Sequence, residues 1–173
     1  MKTLTLRPAA VKRRARGHLW VFSNELEVVD TSLPPGSVCG LVYPGGKPAG
    51  VGFFNPKSLI AMRLLAQNTL DLPADFIKDR LAAALEYRES LGISCACRVC
   101  FGESDGLPGL IVDRYGGAVV VEILSAGMEL FKDEITAALA DLLRPRGIFY
   151  KNTHPFRELE GLKSYDLHSA YRG

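Results

Sequence analysis

Four basic side chains fall within five residues, Lys12, Arg13, Arg14 and Arg16, and the stretch GHLWVFSNE that follows sets His18 and Trp20 just beyond them. Cations at this density bind phosphates with little regard to base sequence, and an imidazole or indole beside them can stack on an unpaired base. Lys12, Arg13, Arg14, Arg16, His18 and Trp20 are therefore the candidate nucleic-acid-binding residues, a single helical turn bringing most of the cations to one edge. For Trp20 a packing role competes. Trp20 and Phe22 alternate along an apolar segment, and large aromatics in that setting are usually buried, so core packing is the expectation. For the cations the phosphate reading prevails over a solvated face, because no acid nearby balances them. The first 24 residues hold six bases and no acid, whereas the other 15 bases of the chain are outnumbered by 19 acids, a contrast that the formal net charge of +2 conceals.

Cys95, Cys97 and Cys100 have the spacing of a partial metal site, and thiolates are good zinc ligands. On an extended segment Cys95 and Cys97 point to one face with Val99 and Phe101, while Cys100 points to the other with Arg98. Buried or half-buried thiols are expected, and no metal site. The segment GESDGLPGLIVDRYG gathers Glu103, Asp105 and Asp113, carboxylates that could act as acid and base or hold a magnesium ion. Its punctuation favours a rigid loop or domain junction instead. Ser104, Asp105 and Gly106 make one turn and Pro108 and Gly109 the next, while Asp113 and Arg114 lie on a strand, where neighbours face opposite ways and do not pair. No catalytic residue is assigned.

The elements that must position these residues fall into two parts. Residues 3–65 read as short strands (TLTLR, VFSNELEVVD, SVCGLVY, AGVGFF and LIAMRLL) punctuated at residues 34–36, 44–46 and 55–56 by proline, glycine and asparagine. Strands about ten residues apart favour a small barrel or sandwich. PAAVKRRARG, between the first two strands, suits a short helix with Pro8 in its first turn and Gly17 as its C-cap. Polar NTLDLPAD marks a boundary, giving domains of residues 1–69 and 70–173. Beyond it, Ile77, Leu81, Ala84, Leu85 and Leu91 follow helical spacing, and the strands SCACRVCF, GLIVDRY and AVVVEIL come next, the last two joined at Gly116 and Gly117. A helix from Met128 to Leu143 stopped by Pro145, then the strand GIFYKN, complete an α+β pattern; no closing element is evident after His154.

Hydrophobic residues make up 47% of the chain and charged ones 23%, the balance of a folded globular protein, and 173 residues suffice for one domain or two small ones. The basic N-terminus lacks the apolar stretch of a secretory signal, and no apolar run approaches the roughly eighteen residues of a membrane span. No membrane partner is expected, and four cysteines without a disulfide framework point to a reducing cytoplasm. No G-x-G-x-x-G follows a strand and no P-loop is present. His18, His154 and His168 lie far apart, outside any H-E-x-x-H or G-x-S-x-G motif.

GHLWVFSNE after a basic helix, GESDGLPGLIVDRYG about eighty residues later, and RELEGL at Arg157 to Leu162 together resemble the N-terminal half of the RlmI-like family, S-adenosylmethionine-dependent methyltransferases acting on C5 of cytosine in 23S ribosomal RNA. The resemblance implies an N-terminal PUA domain, a central domain of strand-strand-helix-strand-strand order, and a C-terminal Rossmann-like methyltransferase domain that would follow residue 173 and is expected to be absent here. The parent's cysteine, which adds to the pyrimidine so that C5 can take the methyl group, would lie in that last domain with the methyl donor. None of Cys39, Cys95, Cys97 or Cys100 matches it, so the chain alone is expected to be inactive and to hold no cofactor. The implied partners are 23S ribosomal RNA, captured and oriented by the PUA-like part, and the methyltransferase domain; exposed apolar surface would also permit a homodimer. Two further classes compete: a protein–protein or dimerisation module using the apolar helix faces or the DGLPGL loop, and a small metal-dependent enzyme using Glu103, Asp105 or Asp113.

Overall fold

Most of the apolar runs between the proline and glycine clusters form strands, which gather into one five-stranded sheet in each of two units, Met1–Pro73 and Ala74–Gly173. A computed structural model describes residues 1–93 and 95–172.

In the first unit the strands are β1 (Thr3–Thr5), β2 (Trp20–Val21), β3 (Ser37–Val42), β4 (Pro48–Phe54) and β5 (Met62–Gln67), in the order β1-β3-β4-β5-β2. Only β1 and β3 run parallel. The sheet is curled, and its outer strands are drawn together by an isolated bridge between Leu6 and Leu26, flanked by Arg7 N–H to Glu25 carbonyl at 2.8 Å and Glu27 N–H to Thr5 carbonyl at 2.9 Å. Leu4, Leu6, Val21, Leu26, Leu41, Phe54, Met62 and Leu64 fill the core inside the curl. The long strand expected over VFSNELEVVD does not form. After Val21 the chain enters a 3-10 turn at Ser23–Glu25, because the Glu25 carboxylate accepts the Phe22 N–H at 2.8 Å and folds the backbone back on itself. The basic segment begins as a 3-10 turn at Pro8–Ala10 and continues as α1 (Val11–Ala15). Gly17, with φ of +89°, ends it in the left-handed region that a side chain would resist.

The second unit opens with α2 (Phe76–Ser90), which buries Phe76, Ile77, Leu81 and Ala84; Leu91, expected on that apolar face, is 57% exposed past the helix end. The strands β6 (Ala96–Phe101), β7 (Leu110–Tyr115) and β8 (Ala118–Ile123) follow, then α3 (Ala126–Glu129), α4 (Lys132–Leu143), β9 (Gly147–Asn152), α5 (Phe156–Leu159) and β10 (Tyr165–Arg172). The sheet order is β10-β9-β8-β7-β6, with β8 and β9 parallel and the rest antiparallel. Tyr115 pairs with Ala118 across Gly116 and Gly117, the two-residue turn expected there.

The three strands read from the sequence all form, and β6 adds an edge strand to the strand-strand-helix-strand-strand order that the resemblance implies. Three features correct the sequence reading of this unit. The single helix expected from Met128 is broken at Leu130 and Phe131, where Phe131 turns edge-on to Phe76 at 5.2 Å between ring centres. Residues past His154, read as lacking a closing element, form α5 and the edge strand β10. On β6 the pairing with β7 slips between Arg98 and Cys100, so Val99 and Cys100 are both buried and Phe101 is turned outward, against the strict alternation expected. Burial pushes the Cys100 thiol up to about 12.

Candidate nucleic-acid interface

The four cations near α1 do not share one edge. A helix turns about 100° per residue, so Lys12 and Arg16 face one way while Arg13 and Arg14 diverge from them. Arg14 is 4% exposed. Its guanidinium donates to the His18 carbonyl at 2.7 Å, to the Ala49 carbonyl at 3.3 Å and to Gln67 Oε1 at 2.8 Å, which pins the turn after α1 onto β4 and the end of β5. Burial pulls this guanidinium below its ordinary pKa, yet an arginine so placed remains charged. Arg14 is thus a structural residue, which corrects its expected place among the RNA-facing cations. Arg13 is half-buried, paired with Glu25 at 2.8 and 3.1 Å, donating to the Trp20 carbonyl at 2.7 Å and lying 4.8 Å from the Phe22 ring centre. Its charge is largely neutralised where it stands.

The remaining candidates face solvent. Lys12, Arg16 and His18 are exposed, and Trp20 is 41% exposed, against the expectation that it packs in the core. The reason is the phase of the alternation. Leu19 packs against the core and Val21 is buried, so His18 and Trp20 take the outward positions. Trp20 pairs in register with Arg63 on β5, whose guanidinium carbon lies over the indole, 5.4 Å from the ring centre. Arg63 was not among the sequence candidates. Its only signal was a cation inside the apolar run LIAMRLL, which means little until the β2–β5 register is known.

The second candidate segment is closed on itself. Asp105 receives Arg88 at 2.5 and 2.8 Å and the Phe101 N–H at 2.6 Å. Asp113 pairs with Arg98 at 2.8 and 2.9 Å, and Arg114 donates to the Gly116 carbonyl at 3.1 Å. Ser104 is exposed and Glu103 half-buried in a 3-10 turn that Gly106 ends with φ of +73°, its carbonyl accepting from Arg80. Pro108 and Gly109 meet the start of α3: Ser125 Oγ donates to the Pro108 carbonyl at 2.8 Å, and a Cβ on Gly109 would lie 2.7 Å from that of Ser125. Among the described residues, no cluster of three or more His, Cys, Asp or Glu is placed to hold a metal ion.

Residues 4–67 match the family described as PUA-like domain. This part of the chain is a PUA-like domain. The chain as a whole is 37% identical over 159 residues to "Ribosomal RNA large subunit methyltransferase I" of Aeromonas hydrophila, an alignment covering 88% of the chain and 39% of that protein. It is 32% identical over 165 residues to the protein of that name from Shewanella denitrificans, covering 92% and 41%. The chain therefore spans about two fifths of the length of these curated relatives. Its fold also resembles a solved structure assigned as a SAM-dependent methyltransferase from Streptococcus mutans, with a TM-score of 0.79 at 18% identity over 100% of this chain and 44% of that one. The resemblance to RlmI-like proteins stands on these matches.

S-adenosylmethionine, the methyl donor that the resemblance implies, can be tested against the second unit. In open α/β sheets nucleotide-like ligands lie beyond the carboxyl ends of parallel strands. The parallel pair here is β8–β9, and the chain's own side chains fill that end. Asn152 Oδ1 accepts the Ile123 N–H at 2.8 Å; Arg157 donates to the Ile123 carbonyl and, at 2.9 Å, to Glu129; Glu160 accepts the Ala126 N–H at 3.3 Å. All three of Asn152, Arg157 and Glu160 are buried. These described residues do not fit the cofactor. No helix among the described residues is long and apolar enough to cross a membrane.

Proposed function

We propose that this chain is the RNA-capturing part of an S-adenosylmethionine-dependent methyltransferase acting on 23S ribosomal RNA in the cytoplasm, and that its PUA-like domain makes the contact. The observation that carries the reading is the outward set Lys12, Arg16, His18 and Trp20, which remains after Arg13 and Arg14 are engaged within the fold. Phosphate binding by such a set releases counterions, so affinity falls steeply with salt. The methyl donor and the reacting cysteine belong, on this reading, to the part of the longer relatives that the chain does not span. Holding RNA beside a linked catalytic domain raises its effective concentration there without chemistry of its own.

The test is binding of the 173-residue chain to a 23S ribosomal RNA fragment at two salt concentrations, beside a Lys12→Ala/Arg16→Ala variant. Each lost phosphate contact lowers the salt slope by about one unit, so the double variant is expected to lose about two. Affinity indifferent to salt and to the variant overturns the proposal.

A further inference from the structure

Trp20 is the one tryptophan in the chain, and it stands at the outer strand of the curled sheet, 41% exposed, beside a basic helix. Three observations fix it there. Leu19 and Val21 on either side turn toward the core, Arg13 from α1 holds the Trp20 carbonyl at 2.7 Å, and the Arg63 guanidinium lies over the indole. Arg63 thus occupies one π-face as a fixed cation. The bond from Arg13 also ties α1, which carries Lys12 and is followed by Arg16, to the backbone of β2.

We infer that Trp20 is the stacking platform for one unpaired RNA base, taken on the exposed part of the indole, with the exposed Lys12 and Arg16 on phosphates of the same strand. The inference rests on the RNA-capture reading and narrows its ligand to single-stranded RNA. A base within a duplex is already stacked on both sides, and A-form RNA keeps its major groove too deep and narrow for side chains; an unpaired base has a free face to offer. Phosphate contacts alone would hold either form.

Because Trp20 is unique, its own emission reports the contact. The chain is titrated at low salt with a labelled uridine-rich single strand and with a labelled blunt-ended duplex of equal phosphate number, following RNA anisotropy and tryptophan emission together. The single strand is expected to quench Trp20, and the duplex to bind without quenching. Trp20→Phe keeps a flat π-face and is expected to hold the single strand within about threefold, whereas Trp20→Leu weakens it roughly 5- to 150-fold. Duplex binding, unchanged in Trp20→Leu, shows that this variant is folded. A single strand that binds without quenching, or equally well to Trp20→Leu, overturns the stacking site and leaves RNA capture standing. No anisotropy change with either RNA overturns both.

Discussion

The two units use arginine differently. In the PUA-like domain the buried Arg14 satisfies backbone and amide oxygens, a role that absorbs no negative charge, while Arg13 meets a carboxylate at Glu25. In the second unit Arg88, Arg98 and Arg157 each pair with an acid, Asp105, Asp113 and Glu129. The first unit leaves Lys12 and Arg16 turned to solvent, and the second holds Arg88, Arg98 and Arg157 against carboxylates. The contrast teaches that a count of bases does not locate a binding surface: what matters is whether each cation is matched by a carboxylate, by carbonyls or by water.

Arg157→Ala should break the comparison most severely. Arg157 is 1% exposed and donates to the Ile123 and Lys163 carbonyls and to Glu129, so its loss leaves buried acceptors and a carboxylate unmatched. A destabilisation of about 3–5 kcal/mol is expected, read by hydrogen exchange in β8 and β9. Arg14→Ala should cost about 2–3 kcal/mol in the PUA-like domain, and RNA affinity should fall only as far as the domain unfolds, which denaturant titration followed by Trp20 emission separates from a loss of contact.

Alkaline titration sharpens the contrast at intermediate size. The folded Cys100 thiol, held near 12 chiefly by burial and secondarily by the Asp105 charge, stays protonated while the unfolded thiol ionises at its ordinary 9.0. The unfolded state thus binds fewer protons above that pH. The Cys100 contribution is full below about pH 9, and roughly 1.4 kcal/mol of it is lost by pH 10. Cys100→Ala should remove this slope from the second unit, as denaturation at pH 8 and pH 10 would show. The smallest stability effect belongs to Arg16→Ala, expected within about 0.5 kcal/mol of the parent in thermal unfolding while the RNA salt slope falls by about one.

Much of the scaffold was legible in the sequence. β3, β4, β5, β7, β8 and β9 follow apolar runs bounded by glycine and proline, and Gly17 ends α1 as its type suggests. What escaped depends on partners distant in the chain. Nothing local distinguishes Arg14 from Arg13 or Arg16; its fate is set by Ala49 and Gln67, 35 and 53 residues away. For Trp20 the alternation was evident but its phase was not, since Leu19 and Val21 compete for the same core position. β10 escaped because an edge strand with mostly exposed side chains carries no apolar run, and the slip on β6 because one extra residue leaves composition unchanged. Asp105 and Asp113 read as candidate acids only until Arg88 and Arg98 were placed against them.

The bonds from Arg14 to His18, Ala49 and Gln67 have a thermodynamic consequence. They hold the backbone that carries His18 and Trp20 against β4 and β5 with no ligand present. On the proposed RNA-capture role, an arriving strand need not order that backbone, and the entropic loss on association would be confined to its own nucleotides and to the long side chains of Lys12 and Arg16.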